Sequence, residues 1–366
     1  MKIAFDSKIF FNQRFGGPSR YYFNLFENLN FLDVNTFILS PLYSNEYIKN
    51  SKFKKNIYGV NFPKIKFMGP IFNKIDLIFT EYYMKKIKPD IIHTTDYFRS
   101  NSDEIKPLVV TVHDLTHEIF FYEYGKNKNF RPKEKILDLA DFIICVSNNT
   151  KEDLMKYYQI NEKKIKVIYH GNNFHDINKV LKKKAMNLDF KYFLYVGGRK
   201  RYKNFFSVID VFKKNKQIYN EFKIVCFGGG QLLNSEKKVL IEKNIDLSKI
   251  IFFPDNDDQA LFDLYKNAAA LIYPSLHEGF GMPILEAMSL GCPVISSNSS
   301  SLPEVYGEAA LSFCPLSHDE LLDNLEKIAY NSELRKKLIS LGLKQSLKFS
   351  WKNCANETLS VYKKLI

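Results

Sequence analysis

Arginine is scarce in this chain of 366 residues: seven stand against 46 lysines, within a total of 53 basic and 40 acidic residues and a net charge of +13. The shortage argues against a nucleic-acid binder, because arginine is the preferred reader of base edges and no recognised nucleic-acid motif is present. Cysteine is also sparse. The five (Cys145, Cys226, Cys292, Cys314, Cys354) form no Cys-x-x-Cys pair, and three sit in apolar strand-like runs such as FIICV and KIVCF. They read as small core residues in a reducing compartment, which excludes a disulfide framework and a structural zinc site. No run approaches the roughly 20 apolar residues of a membrane span. The opening MKIAFDSKIFF lacks the h-region and small-residue cleavage site of a signal peptide, so the expected location is the cytoplasm.

What is present points to two domains. The length exceeds the usual single domain, and 45% hydrophobic residues suffice for two cores. Short β-branched runs alternate with longer helical segments throughout. The first half holds strands at 2–5, 36–40, 90–94, 108–113, 142–147 and 165–170; the second at 192–198, 222–228, 249–253, 270–274, 293–297 and 310–313. Strands that read as continuous apolar runs are buried on both faces, and βαβα alternation gives a parallel sheet. Two doubly wound, Rossmann-like domains follow. The Lys-rich stretch at 175–190 marks the break, giving domains over 1–180 and 181–350, with a terminal helix over 351–366. Its Trp351, Ala355, Leu359 and Tyr362 share roughly one face.

Charge is uneven between the halves. Residues 1–185 hold 30 basic and 20 acidic residues (+10), and residues 186–366 hold 23 and 20 (+3). Part of the lysine excess looks like a bias toward AT-rich codons. The remainder fits an anionic membrane surface or a phosphate-bearing substrate.

Ligands of open parallel sheets bind outside the carboxyl ends of the strands, so residues just after strands are the candidates. In HEGFGMPILEAMSLG (277–291), Gly279 and Gly281 form a loop ahead of a helix that starts at Pro283 and ends by Gly291. Backbone amides and the helix dipole suit a phosphate there. Glu278 in the loop and Glu286 in the helix would grip two hydroxyl-bearing parts of one phosphorylated ligand. Equally, Glu286 serves as a dipole partner and Glu278 as a solvated charge. YVGGRKRYKN places Arg199 and Lys203 after a strand, where two cations can neutralise a diphosphate leaving group without metal. RFGGPSRYY brings Gly16 and Gly17 into a helix start. TVHDLTHE ends a strand at His113, read as a hydrogen-bonding group and not a metal ligand. The Asp255-x-Asp257 pair in PDNDD reads as lead-in to a helix capped by Asp257 or Asp258, with no metal.

FGGPSRYY, TVHDLTHE, YVGGRKRYKN, FGGG and HEGFGMPILEAMSLGCPVISSNSSSLPEV together resemble the retaining glycosyltransferases of family 4, nearest the bacterial mannosyltransferase branch that builds O-antigen. The resemblance covers nearly the whole chain. It implies an α/β GT-B fold, two Rossmann-like domains facing a central cleft, with the terminal helix packed back on the first. The implied donor is a nucleotide diphosphate sugar, GDP-mannose favoured, and the acceptor a saccharide carried on lipid, at the inner face of an anionic membrane. No cofactor or metal is expected. Glu286 would hold the ribose, Glu278 with the Phe280–Gly281 backbone the donor sugar, and Arg199 and Lys203 the diphosphate. Gly17, with Gly16, would approach the diphosphate, His113 would contact the sugar, and Pro254 and Asp255 would border the base. VIYHGNNF departs from the usual Pro-Asn-Gly-Ile-Asp phrase, so His170 receives no role. The competing readings are a nucleotide-sugar hydrolase or epimerase of the same fold, which would turn over donor without acceptor, and a basic binding module, which would have no nucleotide affinity.

Overall fold

The computed structural model describes residues 1–63, 69–95, 97, 107–121, 133–172, 188–253 and 258–366. These form two compact units: Met1–Gly171 together with Ser350–Ile366, and Asn172–Phe349. The boundary expected at 180/181 lies outside the described residues.

The first unit is built on seven strands: β1 (Lys2–Phe5), β2 (Asn35–Tyr43), β3 (Ile57–Asn61), β4 (Ile91–Thr94), β5 (Leu108–Val112), β6 (Phe142–Cys145) and β7 (Ile165–Val167), in the order β3-β2-β1-β4-β5-β6-β7. Every pairing is parallel. β4 and β5 are buried along their whole length, as runs such as LVVTV require of strands covered on both faces. β3 was not expected from the sequence. IYGVN has one exposed end and sits at the sheet edge, joined to β2 across a register shift between Leu39 and Leu42, so it lacks the apolar run that marked the others.

The second unit holds six parallel strands: β8 (Lys191–Val196), β9 (Phe222–Phe227), β10 (Ile250–Phe253), β11 (Ala270–Tyr273), β12 (Val294–Ser297) and β13 (Leu311–Phe313), in the order β10-β9-β8-β11-β12-β13. The helix Phe205–Lys214 lays Phe205, Val208, Ile209 and Phe212 on this sheet, where they join Phe193, Tyr195, Ile224 and Cys226 in one core. Cys145, Cys226, Cys292 and Cys354 are buried free thiols.

The helix Trp351–Tyr362 starts at Ser350, whose side chain accepts from the Asn353 N–H. It buries Trp351, Ala355 and Tyr362 in the first unit, with Thr358 fully buried beside the only partly buried Leu359. Tyr362 Oη lies 2.6 Å from His93 Nδ1, and a Cβ on Gly171 would stand 2.1 Å from the Trp351 nitrogen. No described helix is long and apolar enough to cross a membrane.

Candidate active site

The second sheet reverses its strand order between β8 and β11, and that reversal is where a parallel sheet opens a crevice at its carboxyl edge. The loops leaving these two strands meet there. Lys203 ends a single turn, Arg201–Lys203, and its Nζ donates to Glu278 Oε1 at 2.6 Å. The same carboxylate oxygen accepts from Tyr273 Oη at 2.8 Å and Ser275 Oγ at 2.6 Å. A backbone bond ties the two loops, the Leu276 N–H donating to the Tyr202 carbonyl at 2.7 Å, and on the β8 side the Tyr195 hydroxyl donates to the Gly198 carbonyl at 2.7 Å. Lys203 and Glu278 are 17% and 13% exposed, so the pair is mostly removed from water and its charges act at reduced screening. A cation and a carboxylate in contact at a sheet reversal can serve a phosphate and a sugar hydroxyl respectively.

A serine-rich loop supports this site from behind. The Glu278 N–H donates to Ser300 Oγ at 2.9 Å, and Ser301 Oγ donates to the carbonyls of Glu278 and Phe280 at 2.9 and 3.1 Å. The Phe280 ring is buried, edge-on to Phe349 at 5.8 Å, so Phe280 offers a ligand its backbone only. Gly281 has φ +112°, a backbone conformation that demands glycine, and a Cβ there would also push on the tip of the Leu302 side chain at 2.8 Å. The helix Met282–Ser289 follows, with Pro283 as its second residue and not its first. Glu286 lies in this helix beyond its first turn. It is 4% exposed, and Tyr265 Oη donates to its Oε2 at 3.1 Å; Glu278, mostly buried as well, is not a solvated charge. Arg199, the other candidate diphosphate cation after β8, is ion-paired to Glu236 at 3.0 Å and does not share the Lys203–Glu278 contact. Pro254 and Asp255 lie outside the described residues, as does Asp257; Asp258 is the first residue of its helix.

The first unit carries Gly16, Gly17 and His113. Gly16 has extended backbone, and a Cβ there would meet Gln13 Oε1 at 2.3 Å, the same oxygen that accepts the Ser19 N–H at 3.2 Å. Gly17 opens the helix Gly17–Phe31, with nothing within 4 Å of where its Cβ would be. His113 follows β5. Its N–H donates to Tyr97 Oη at 3.2 Å, and its ring meets Tyr21 and Tyr22 edge-on at 5.0 and 5.5 Å. Burial lowers its pKa to about 4, so at neutral pH it is an uncharged imidazole. Its Nε2 is buried with no hydrogen-bond partner among the described residues, a group available to a ligand. Burial alone would raise the neighbouring Asp114 carboxyl, but the Lys133 ammonium and the Thr116 hydrogen bonds hold it below the usual carboxylate range. Among the described residues no group of three or more His, Cys, Asp or Glu could hold a metal ion.

Two family profiles match the chain in succession: Glycosyltransferase Family 4 over residues 15–174 and Glycosyl transferases group 1 over residues 176–345. The chain belongs to this glycosyltransferase family. The O-antigen chain mannosyltransferase B of Escherichia coli is 28% identical over 295 residues, 77% of this chain and 76% of that protein. The O-antigen chain mannosyltransferase RfbU of Salmonella typhimurium is 30% identical over 251 residues, 67% of this chain and 66% of the other. A serotype-specific mannosyltransferase, WbdA of E. coli, is 27% identical over 304 residues, but the chain spans only 37% of its length. Among solved structures, Anabaena Alr3699/HepE in complex with UDP-glucose superimposes with a TM-score of 0.71 at 14% identity, covering 100% of both chains. The fold is that of the GT-B glycosyltransferases.

Several residues of the transferase's site carry no sequence signal. Tyr273 and Ser275 read as the end of a strand, and Ser300 and Ser301 as ordinary loop polarity, yet all four fix Glu278 or its loop. Tyr265 looks like a core aromatic of an amphipathic helix. Only its partner, a buried glutamate in the helix on the far side of β11, discloses it.

Proposed function

We propose that this transferase moves a hexosyl group, mannosyl first, from a nucleotide diphosphate sugar to a saccharide acceptor in surface polysaccharide synthesis, with retention at the anomeric carbon and without a metal. The Lys203–Glu278 pair at the reversal of the second sheet carries this reading. In the transfer the bond from the anomeric carbon to the diphosphate oxygen breaks, and the diphosphate leaves with the electron pair. The acceptor oxygen bonds to the anomeric carbon and gives up its proton to the departing diphosphate. Lys203 stabilises the charge that grows on the leaving group, as a preorganised cation should. Glu278 accepts from hydroxyls of the donor sugar, Glu286 from the ribose, and His113 offers a neutral ring nitrogen to a sugar hydroxyl. The relatives' names support mannose as the sugar, and GDP-mannose is the donor proposed.

The test is a binding panel of GDP, UDP and dTDP by thermal shift, since a ligand of the native state raises the melting temperature by mass action. GDP should stabilise most. Glu286→Ala should weaken that binding by about 1–3 kcal/mol, the value of a hydrogen bond to a charged group. No shift with any of the three nucleotides removes the nucleotide-sugar reading. A folded Glu286→Ala variant with full affinity removes the ribose role alone.

The acceptor proposed is lipid-linked, which places the enzyme at an anionic membrane surface on its cytoplasmic side. The helix Gly69–Ile87 supports this. Ile75, Ile78 and Tyr82 are exposed at helical spacing, Ile78 at 71%, beside exposed Lys85 and Lys86. Lys52, Lys54 and Lys55 add a second exposed basic cluster. A lysine near an anionic surface contributes about 1 kcal/mol, so a few suffice without a span. Co-sedimentation with vesicles should rise with anionic lipid and fall with salt. Protein left in the supernatant at low salt with strongly anionic vesicles ends the membrane proposal and leaves the transferase assignment standing.

A further inference from the structure

Arg199 follows β8 as a free-looking cation, but its guanidinium is ion-paired and turned toward a glycine turn. Nε donates to Glu236 Oε1 at 3.0 Å and Nη2 to Oε2 at 3.1 Å. Nη1 donates to the Gly228 carbonyl at 3.4 Å, and Nη2 lies 3.2, 3.2 and 3.0 Å from the carbonyls of Gly229, Gly230 and Gln231. The side chain is 2% exposed. Its guanidinium also stands 5.1 Å from the ring centre of Phe252 on β10. The residue therefore starts after β8, crosses the end of β9 and reaches β10, three neighbouring strands of the sheet.

The turn it holds cannot hold itself. Gly228, Gly229 and Gly230 have φ of +94°, +72° and +68°, and three successive glycines carry the largest conformational freedom a turn can have. The turn presses on the one after β8: a Cβ on Gly229 would stand 2.9 Å from Gly198 Cα. Glu236 fixes the other end, since its Oε2 accepts the Leu233 N–H at 2.8 Å where the chain enters the helix Asn234–Glu242. To touch a diphosphate through Nε or Nη2, Arg199 would have to leave a buried two-point ion pair with Glu236 and the glycine-turn carbonyls that share the remaining Nη2 hydrogen.

We propose that Arg199 and Glu236 form a positioning pair that fixes the Gly228–Gln231 turn at the carboxyl edge of the second sheet, and that Arg199 supports donor-nucleotide binding through this turn and not by contact with the diphosphate. The second half rests on the nucleotide-sugar reading above. The first half does not.

Hydrogen exchange of the free protein tests the first half. Arg199→Ala and Glu236→Ala should each raise exchange in the 228–233 segment by roughly tenfold or more, with the double variant no worse than the poorer single, as one shared network requires. Unchanged exchange in either single variant overturns the pair, whatever the ligand. Calorimetry with GDP and UDP tests the second half. If Arg199 acts through the turn, Glu236→Ala weakens binding by the same factor as Arg199→Ala, roughly tenfold for a lost charge-assisted network. Arg199→Lys, which keeps the charge but cannot bridge a carboxylate and several carbonyls, should then behave like Arg199→Ala. If Glu236→Ala leaves affinity unchanged or tighter, and Arg199→Lys retains it, Arg199 is a direct diphosphate ligand and the proposal is overturned. Should a variant fail to fold, Glu236→Gln replaces it with the same expectations. Wild-type protein that binds neither nucleotide nor dTDP sinks the nucleotide-sugar reading, and the exchange measurement still decides the pair.

Discussion

Lys203→Ala is expected to lower kcat by about 10²–10³-fold, the usual loss when one preorganised stabiliser of developing charge is removed. Nucleoside diphosphate affinity should fall far less, because charge on the leaving diphosphate is greatest in the transition state. The geometry makes the effect specific to this cation. Its Nζ is held 2.6 Å from Glu278, and the turn that carries it is tied to the Glu278 loop by the Tyr202–Leu276 backbone hydrogen bond. Tyr273 and Ser275 still donate to Glu278 in the variant, which keeps that carboxylate satisfied and the loop in place. Lys203→Arg separates charge from placement: it keeps the cation but not the compact ammonium, and should recover only part of the rate. The assay is steady-state transfer from GDP-mannose, run with and without EDTA. Equal losses in kcat and in GDP affinity would show that Lys203 serves ground-state binding alone. Activity abolished by EDTA and restored by Mg²⁺ or Mn²⁺ would overturn the metal-independent mechanism.

Parallel strands buried on both faces declare themselves as apolar runs, which is how central strands such as β4, β5, β11 and β12 could be placed from the sequence; the edge strands β7, β10 and β13 are less buried and were placed by the alternation of strands and helices. β3 could not: as an edge strand with Gly59 in its middle and one end in solvent, IYGVN has neither an apolar run nor alternation. The loops after strands were legible for the same physical reason, since strand ends are marked by glycine and charge. Contacts between those loops were not. Lys203 and Glu278 are far apart in the chain and meet only because β8 and β11 are neighbours in the sheet, a fact of topology. Arg199 and Lys203 look alike on paper, two cations four residues apart after a Gly-Gly. Arg199 turns to Glu236 and the glycine carbonyls, while Lys203 turns to Glu278, and nothing local to the motif distinguishes them. Glu236 itself sits in a helix start whose acidic residue has an ordinary capping explanation, so its ion pair left no trace in the pattern.

The largest effect on stability is expected at Lys133, which no motif marks. Its Nζ donates to both oxygens of Glu118 at 2.7 and 2.9 Å, with the two side chains 5% and 6% exposed. Tyr158 Oη donates to the same carboxylate at 2.8 Å, and the ammonium stands 4.9 Å from the ring centre of Tyr97, whose hydroxyl in turn bridges the Thr111 carbonyl and the His113 N–H. Lys133→Met keeps the volume and removes the charge, leaving Tyr158 as the remaining donor to Glu118 among the described residues. Breaking a buried pair from one side costs about 3–5 kcal/mol, because the uncompensated charge remains in a low dielectric. Lys133→Met/Glu118→Leu should recover most of that loss, since replacing both partners by apolar groups is often neutral. The acid limb should change as well. Asp114 is held below the ordinary carboxylate range with Lys133 as its cation, so its contribution is full above the unfolded pKa and drains as pH falls through the lowered one. Removing Lys133 takes away that contribution, and the stability of both variants should fall less steeply on acidification than that of the wild type. Urea unfolding at neutral and acid pH measures both effects. A Lys133→Met variant within about 1 kcal/mol of wild type at neutral pH, the range of an exposed pair, would show that water reaches Glu118 and that the pair does not brace the His113 loop.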